Sequence, residues 1–260
     1  MAERIIRVAD DFWNIRGSFK IGGLLDIGTH ASLVRLANGS FVMLDSYTLS
    51  PALADEVDGI TDGPENVEAV LNLHPFHTVH VKTIHSRYPD ARHYGTARHL
   101  ERFPDLAWQP ERTEDEALHA LFADDFDFSV PAGVDFISAN EHLHFSSVMV
   151  LHRASQTIHV DDTIMYVRLP KVLKLFGLSE STSFHPTLAK VLERRPGAAA
   201  DFREWAAGLA EDWADARNLC AAHTSTLLGE KNSGAPISER ILKCLAAVEP
   251  KLAAHERSQG

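Results

Sequence analysis

The chain has 260 residues, 45% hydrophobic and 23% charged, which is the composition of a globular protein with a substantial core. Its 36 acidic and 25 basic residues give a formal net charge of −11. This balance argues against a nucleic-acid partner, because phosphate recognition depends on clustered lysine and arginine. We also expect no membrane partner, since no apolar run approaches the roughly 18 residues of a membrane span. Cys220 and Cys244 lack CxxC spacing and the first residues lack a signal-peptide pattern. We therefore expect a cytoplasmic protein with free thiols.

The predicted elements begin with a hairpin. Residues 31–36 and 41–44 are apolar, and Asn38-Gly39 between them supplies the positive φ angles of a tight turn. A short helix is predicted from Pro51 to Val57, with Ser50 as its N-cap, followed by a buried strand over 67–73. Two helices are then predicted, from about Pro75 to Arg87 and over 96–102.

The second half combines paired strands with later helices. Strands are predicted over 145–152, 157–160 and 164–167, and helices over 186–193, 198–209 and 237–252, the last interrupted at Pro250. A short apolar stretch over 216–222 ends at His223. This order predicts an α/β fold. We expect one domain over 1–260, with a helical C-terminal segment from about 170 that includes a late strand near 216–223.

Histidine is the compositional outlier. The chain has 15 histidines, and several are grouped, at His74, His77, His80 and His85 and again at His142 and His144. Imidazole is the commonest metal ligand in proteins. A hydrolytic zinc site needs about three protein ligands and an open position for water. The grouping therefore suggests a metal site, and nitrogen and oxygen ligands suit zinc, iron or manganese.

Four segments resemble, in order, the metal-binding landmarks of the metallo-β-lactamase superfamily. Asn72-Leu73-His74-Pro75-Phe76-His77 resembles the H-x-H-x-D-H motif, with Asn72 and Phe76 where the first histidine and the aspartate would be. Glu141-His142-Leu143-His144 resembles the turn that carries the next ligand, and residues 156–164 resemble the strand that ends in G-D-x-L, so Asp162 matches the bridging aspartate. Residues 219–223 resemble the last strand, and the strand that ends at Asp45 resembles an early strand of the family.

The resemblance implies an αββα sandwich of two mixed β-sheets flanked by helices. It also implies metal ligands at His74, His77, His142, Asp162 and His223, with Asp162 and His77 handling protons in catalysis. Because Asn72 and Phe76 replace two ligands, we expect at most one divalent metal per chain, with zinc preferred over iron or manganese.

The individual motifs have simpler interpretations. His77 and His80 could form a solvated helix face, Asp161 and Asp162 could be turn residues, and His144 is expected to be a bystander. Three functions follow from the combined pattern. The first is a hydrolase that acts on an ester, thioester, lactone or amide of a small molecule. The second is a non-catalytic relative that binds a small ligand or a partner in the same cleft. The third is a redox protein that holds iron.

Overall fold

Two β-sheets dominate the fold. The computed structural model describes residues 3–21, 25–26, 28–168, 180–222 and 225–259. The strands are β1 (Arg4–Ala9), β2 (Phe12–Gly17), β3 (Lys20–Ile21), β4 (Leu25–Asp26), β5 (Thr29–Arg35), β6 (Phe41–Leu44), β7 (Val67–Leu71), β8 (Arg92–Gly95), β9 (Trp108–Arg112), β10 (Phe126–Ser129), β11 (Met149–His152), β12 (Thr157–Val160), β13 (Ile164–Val167), β14 (Ser181–Phe184), β15 (Asn218–Ala221) and β16 (Thr226–Leu227). The helices are α1 (Pro51–Thr61), α2 (Val81–Arg87), α3 (Ala97–Arg102), α4 (Glu116–Leu121), α5 (Leu188–Val191), α6 (Ala198–Asp212) and α7 (Ile237–Gln259).

The first sheet has the strand order β1-β2-β5-β6-β7-β8-β9. Strands β5 and β6 form the predicted antiparallel hairpin, and Gly39 adopts a φ of 90° at its turn. Strands β6, β7, β8 and β9 are then parallel neighbours, so the sheet is mixed. The carboxyl ends of β6 and β7 consequently lie at the same edge.

The second sheet has the order β10-β11-β12-β15-β16 and is also mixed, because β12 and β15 run parallel while their other neighbours are antiparallel. The late strand predicted near 216–223 is present as β15.

Three apolar clusters define a four-layer arrangement. One joins the inner faces of the two sheets, through residues such as Val34, Leu71 and Val150. A second packs the first sheet against α1 and α2, and a third packs the second sheet against α6 and α7. This is the predicted αββα sandwich. No helix within the described ranges is both long and apolar enough to cross a bilayer.

The layer between the sheets is polar at one end. Side chains alternate along a strand, so Ala31 and Leu33 of β5 pack towards the helices, whereas His30 and Ser32 face the other sheet. His159 of β12 faces them, and all three of these polar side chains are buried. This polar end lies beneath the carboxyl ends of β6 and β12, where the candidate site is found.

Two helix predictions were wrong in detail. Helix α2 begins at Val81 rather than near Pro75, because residues before it form turns: His77 N–H donates to the carbonyl of His74, and Thr78 N–H to that of Phe76. Helix α7 continues through Pro250 to Gln259. Pro250 is exposed, and so is Ala246, whose carbonyl loses its helical partner, so water can satisfy that carbonyl.

Candidate metal centre

A cleft of about 570 Å³ opens at the carboxyl ends of β6, β7 and β12. Its lining combines histidine, aromatic and acidic side chains: Phe19, Thr29, His30, Asp45, Ser46, Phe76, His77, Val79, His80, His142, His144, Asp162 and His185. The ends of parallel strands are a common place for ligand sites, since loops from neighbouring strands converge there.

Three side chains from two distant segments meet at the cleft, and we call them the cleft group: His74, His77 and Asp162. One ligand atom from each lies within 4.8 Å of the others. His74 Nε2 lies 3.3 Å from Asp162 Oδ2, and His77 Nε2 lies 3.5 Å from the same oxygen. The two imidazole rings stack with their centroids 3.9 Å apart. The structure thus brings together three of the five ligands expected from the resemblance.

The two histidines of the cleft group have opposite protonation behaviour. Burial, together with the charge of His77, lowers the pKa of His74 to about 3, so this ring is neutral. Burial also acts to lower the pKa of His77, but the carboxylates of Asp161 and Asp162 outweigh it and hold that pKa well above 6.5. Without a metal ion, His77 is therefore an imidazolium between two carboxylates.

The proton of neutral His74 can be placed from its surroundings. The backbone N–H of Phe76 donates to His74 Nδ1 over 3.1 Å, so the ring proton lies on Nε2, towards Asp162. His74 Nε2 is buried and has no hydrogen-bond partner among the described residues. A metal ion bound at Nε2 would require the ring proton to be on Nδ1, where it would face the hydrogen of the Phe76 N–H.

The cleft group suits a divalent metal ion in its chemistry. Two imidazole nitrogens and one carboxylate oxygen are the donors of many catalytic zinc sites, and they also suit iron and manganese. The buried and unpartnered Nε2 of His74 is the kind of atom that a metal ion would satisfy. Because the Phe76 N–H opposes a proton on His74 Nδ1, we expect this site to bind a metal ion more weakly than a site without that contact.

His142 and His144 both lie outside the cleft group, and His144, not His142, is the one beside Asp162. His142 lines the cleft but is exposed and lies outside the cleft group. His144, expected to be the bystander, places Nδ1 3.9 Å from Asp162 Oδ2. His144 follows a turn over residues 140–143, and its Nε2 bonds to the carbonyl of Glu141, so the ring is held over the cleft. Alternation along a strand, the basis of the expectation, does not apply in this turn.

The two departures from the family motif are part of the framework. Asn72 Oδ1 accepts from Ser46 Oγ over 2.7 Å, and Asn72 Nδ2 donates to the carbonyl of Tyr94 over 3.1 Å. Its amide oxygen is therefore already used. The Phe76 ring stacks on that of His144, with centroids 5.0 Å apart and planes 6° apart. It adds an apolar wall to the cleft.

Other predicted residues fall in three places. His80 lines the cleft and its Nδ1 lies 2.8 Å from Thr48 Oγ1, outside the cleft group. Asp45 is buried and accepts the backbone N–H of Leu73, which ties the ends of β6 and β7 together. His223 lies outside the described residues.

Sequence reasoning missed a second set of polar residues below the cleft. His30, His159 and Asp161 are buried, and one ligand atom from each lies within 4.8 Å of the others. The available signal was the presence of His30 and His159 among the apolar residues of two strands that are almost entirely buried.

No family model and no curated protein matches the sequence. Solved structures share the fold. A metallo-β-lactamase from Erythrobacter litoralis with β-mercaptoethanol in its active site has a TM-score of 0.60 at 13% identity, covering 94% of this chain and 96% of that chain. The FIM-1 metallo-β-lactamase from Pseudomonas aeruginosa, in its mono-zinc form, has a TM-score of 0.58 at 12% identity, covering 95% and 96%. A metallo-β-lactamase from Hirschia baltica has a TM-score of 0.57 at 12% identity, covering 95% and 98%. The predicted resemblance is confirmed in the fold.

Proposed function

From the metallo-β-lactamase fold and its cleft group, we propose that this protein is a metal-dependent hydrolase of a small molecule, cleaving an ester, thioester, lactone or amide bond. One observation carries the proposal: His74 and His77, from the loop after β7, meet Asp162, from the end of β12, at one point in a cleft. We also propose a cytoplasmic location, because the free thiols of Cys220 and Cys244 suit a reducing compartment.

The cleft group would hold one divalent ion through His74 Nε2, His77 Nε2 and Asp162 Oδ2. Zinc is our first choice, and iron and manganese are the alternatives. When bound, such an ion polarises a carbonyl group and lowers the pKa of water to about 7. The remaining chemistry comes from the protein's own side chains.

Asp162 is the member of the cleft group that we expect to handle protons, because both nitrogens of His77 would be engaged, Nε2 by the ion and Nδ1 by Asp161. Asp162 Oδ2 would hold the ion, so a proton released in the cleft would pass to the other oxygen of that carboxylate. The His144 ring lies on the open side of the same carboxylate and is 38% exposed. It offers a path for that proton towards solvent or a leaving group.

The walls of the cleft favour an uncharged substrate. Phe76, Phe19 and Val79 supply apolar surface, and Phe19 and Val79 are exposed. The described side chains that line the cleft include no lysine and no arginine. Arg98 lies over the Phe76 ring, but its guanidinium is bonded to Glu141. We therefore expect substrates with an apolar group rather than a carboxylate beside the cleaved bond.

The proposal is tested by assaying metal-loaded protein against a neutral aryl ester, an acyl thioester, a lactone and a β-lactam. We expect hydrolysis of at least one neutral substrate, lost in His74→Gln and retained in His142→Gln. Activity that survives chelation and the His74→Gln change would overturn the proposal.

A second candidate is a non-catalytic protein that binds a small apolar ligand. The observation in its favour is Phe76, which replaces a family ligand by an aromatic wall stacked on His144. Saturable binding of an apolar ester, with no turnover in the presence of zinc, manganese or iron, would favour this function.

A further inference from the structure

An inner group of four ionisable side chains lies beneath the cleft group, between the two sheets. It consists of His30, Asp45, His159 and Asp161, all buried. The rings of His30 and His159 stack with centroids 4.3 Å apart and planes 4° apart. His159 Nε2 lies 2.8 Å from Asp45 Oδ2, and His30 Nε2 lies 3.3 Å from Asp161 Oδ1.

The hydrogen bonds of the inner group place its protons. Asn14 Nδ2 donates to the carbonyl of Ala31, while Asn14 Oδ1 accepts from Thr226 Oγ1, so the orientation of the amide is fixed. The amide nitrogen therefore faces His30 Nδ1, at 3.1 Å. His30 Nδ1 is consequently an acceptor, and the ring proton lies on Nε2, directed at Asp161. His30 is a hydrogen-bond donor to Asp161 rather than a metal ligand.

Asp161 links the inner group to the cleft group. Its Oδ1 accepts from His30 Nε2 and lies 3.5 Å from His77 Nδ1, on the side of the His77 ring away from Asp162. Asp161 Oδ1 is therefore held by His30 at a position that faces the Nδ1 proton of His77.

We propose that Asp161 is a positioning residue for the cleft group: it holds the proton of His77 on Nδ1 and so leaves Nε2 as the ligand atom. His30 and Asn14 hold Asp161 in place. The role of Asp161 in metal binding rests on the proposed function, whereas the position of the proton on His77 does not depend on it. A carboxylate that orients a ligating histidine is a common outer partner of metal sites. The family pattern G-D-x-L has glycine where this chain has Asp161. The contact between Asp161 and His77 is therefore a feature of this chain rather than of the fold.

The test compares Asp161→Asn with Asp45→Asn, a second buried carboxylate of the inner group, which bonds to His159 Nε2 and also interacts with Asp161. The control therefore changes a carboxylate next to Asp161 while the contacts of Asp161 with His30 and His77 remain. The first readout is the ¹⁵N spectrum of the His77 ring in metal-free protein, at a pH alkaline enough for the ring to be neutral, assigned by comparison with His77→Gln. We expect the Nδ1–H form in the wild type and in Asp45→Asn, and a shift towards the Nε2–H form in Asp161→Asn.

The second readout is zinc affinity, measured by competition with a chelating dye. We expect Asp161→Asn to weaken binding about 10–100-fold, the range typical of lost outer partners, and Asp45→Asn to weaken it much less. An Nε2–H form in the wild type overturns the proposal, and this measurement decides the matter even if Asp161→Asn does not fold. A second bound ion that His30→Gln removes would also overturn it, because the inner group would then be a metal site. If the proton placement is as expected but no ion binds, the proposed function fails and the positioning of His77 by Asp161 stands.

Discussion

His77 Nε2 lies 3.5 Å from Asp162 Oδ2, longer than a strong charged hydrogen bond. Two ligands of one tetrahedral zinc ion, each bonded at about 2.0–2.1 Å, are separated by about 3.3 Å. The separation of His74 Nε2 from the same oxygen is 3.3 Å. These two nitrogen-to-oxygen spacings match those of ligands that share one ion, and the following predictions depend on them.

Removing a cleft histidine should abolish tight metal binding. His74→Gln loses a nitrogen ligand, and we expect zinc affinity to fall at least about 100-fold, more than the loss of an outer partner causes. His142→Gln is the matched control, because His142 lines the same cleft outside the cleft group. Competition with a chelating dye measures both. Equal losses in the two variants would show that the cleft group is not the binding site.

Metal affinity should rise with pH across the neutral range. The raised pKa of His77 means that its ring is protonated in the metal-free protein, and a metal ion must displace that proton. His74, with a pKa of about 3, is already neutral. We expect the apparent affinity to increase about tenfold per pH unit below the pKa of His77, and about one proton to be released per ion. Calorimetry in buffers of different ionisation enthalpy counts that proton. Constant affinity between pH 6 and 8 would contradict this prediction.

Phe76 should limit the number of bound ions. The family resemblance assigns this position to an aspartate ligand, and Phe76 fills it with apolar bulk. We expect Phe76→Asp to bind a second equivalent of zinc, or to hold the first more tightly. Phe76→Leu is the control, since it removes the stacking on His144 without adding a ligand. Identical stoichiometry and affinity in the two variants would place Phe76 outside the metal site.

Asn72 should matter for stability rather than for metal binding. Asn72→Ala leaves Ser46 Oγ without its acceptor, whereas the carbonyl of Tyr94 keeps the bond from the backbone N–H of residue 72. A buried polar group left unsatisfied costs about 1–3 kcal/mol, so we expect the free energy of unfolding to fall by that order. Urea denaturation measures the loss, and zinc affinity should stay unchanged. A large drop in zinc affinity at unchanged stability would make Asn72 a ligand.

Much of the fold followed from local patterns. The β5–β6 hairpin was visible because Asn38-Gly39 sits between two apolar segments, and His74, His77 and Asp162 were found because their motifs recur in the family's order. The start of α2 could not be predicted in this way. The Phe76 N–H bonds to the His74 ring, and non-helical turns occupy the residues where the helix was expected to begin.

The inner group could not be predicted because it depends on which faces of two distant strands meet. His30 and His159 are far apart in sequence, and only the packing of β5 against β12 stacks their rings. The position of His144 rather than His142 beside Asp162 has a similar origin. It depends on the conformation of one turn, which residue type alone does not determine.

Elemental analysis of the protein, purified without added metal and then titrated with zinc, manganese and iron, tests the central claim most directly. We predict about one equivalent of a divalent metal per chain, removed by a chelator and restored by adding the ion. A chain that binds none of the three ions, or that keeps a full equivalent when Asp162→Asn and His74→Gln are combined, would contradict the assignment of the cleft group as a metal centre.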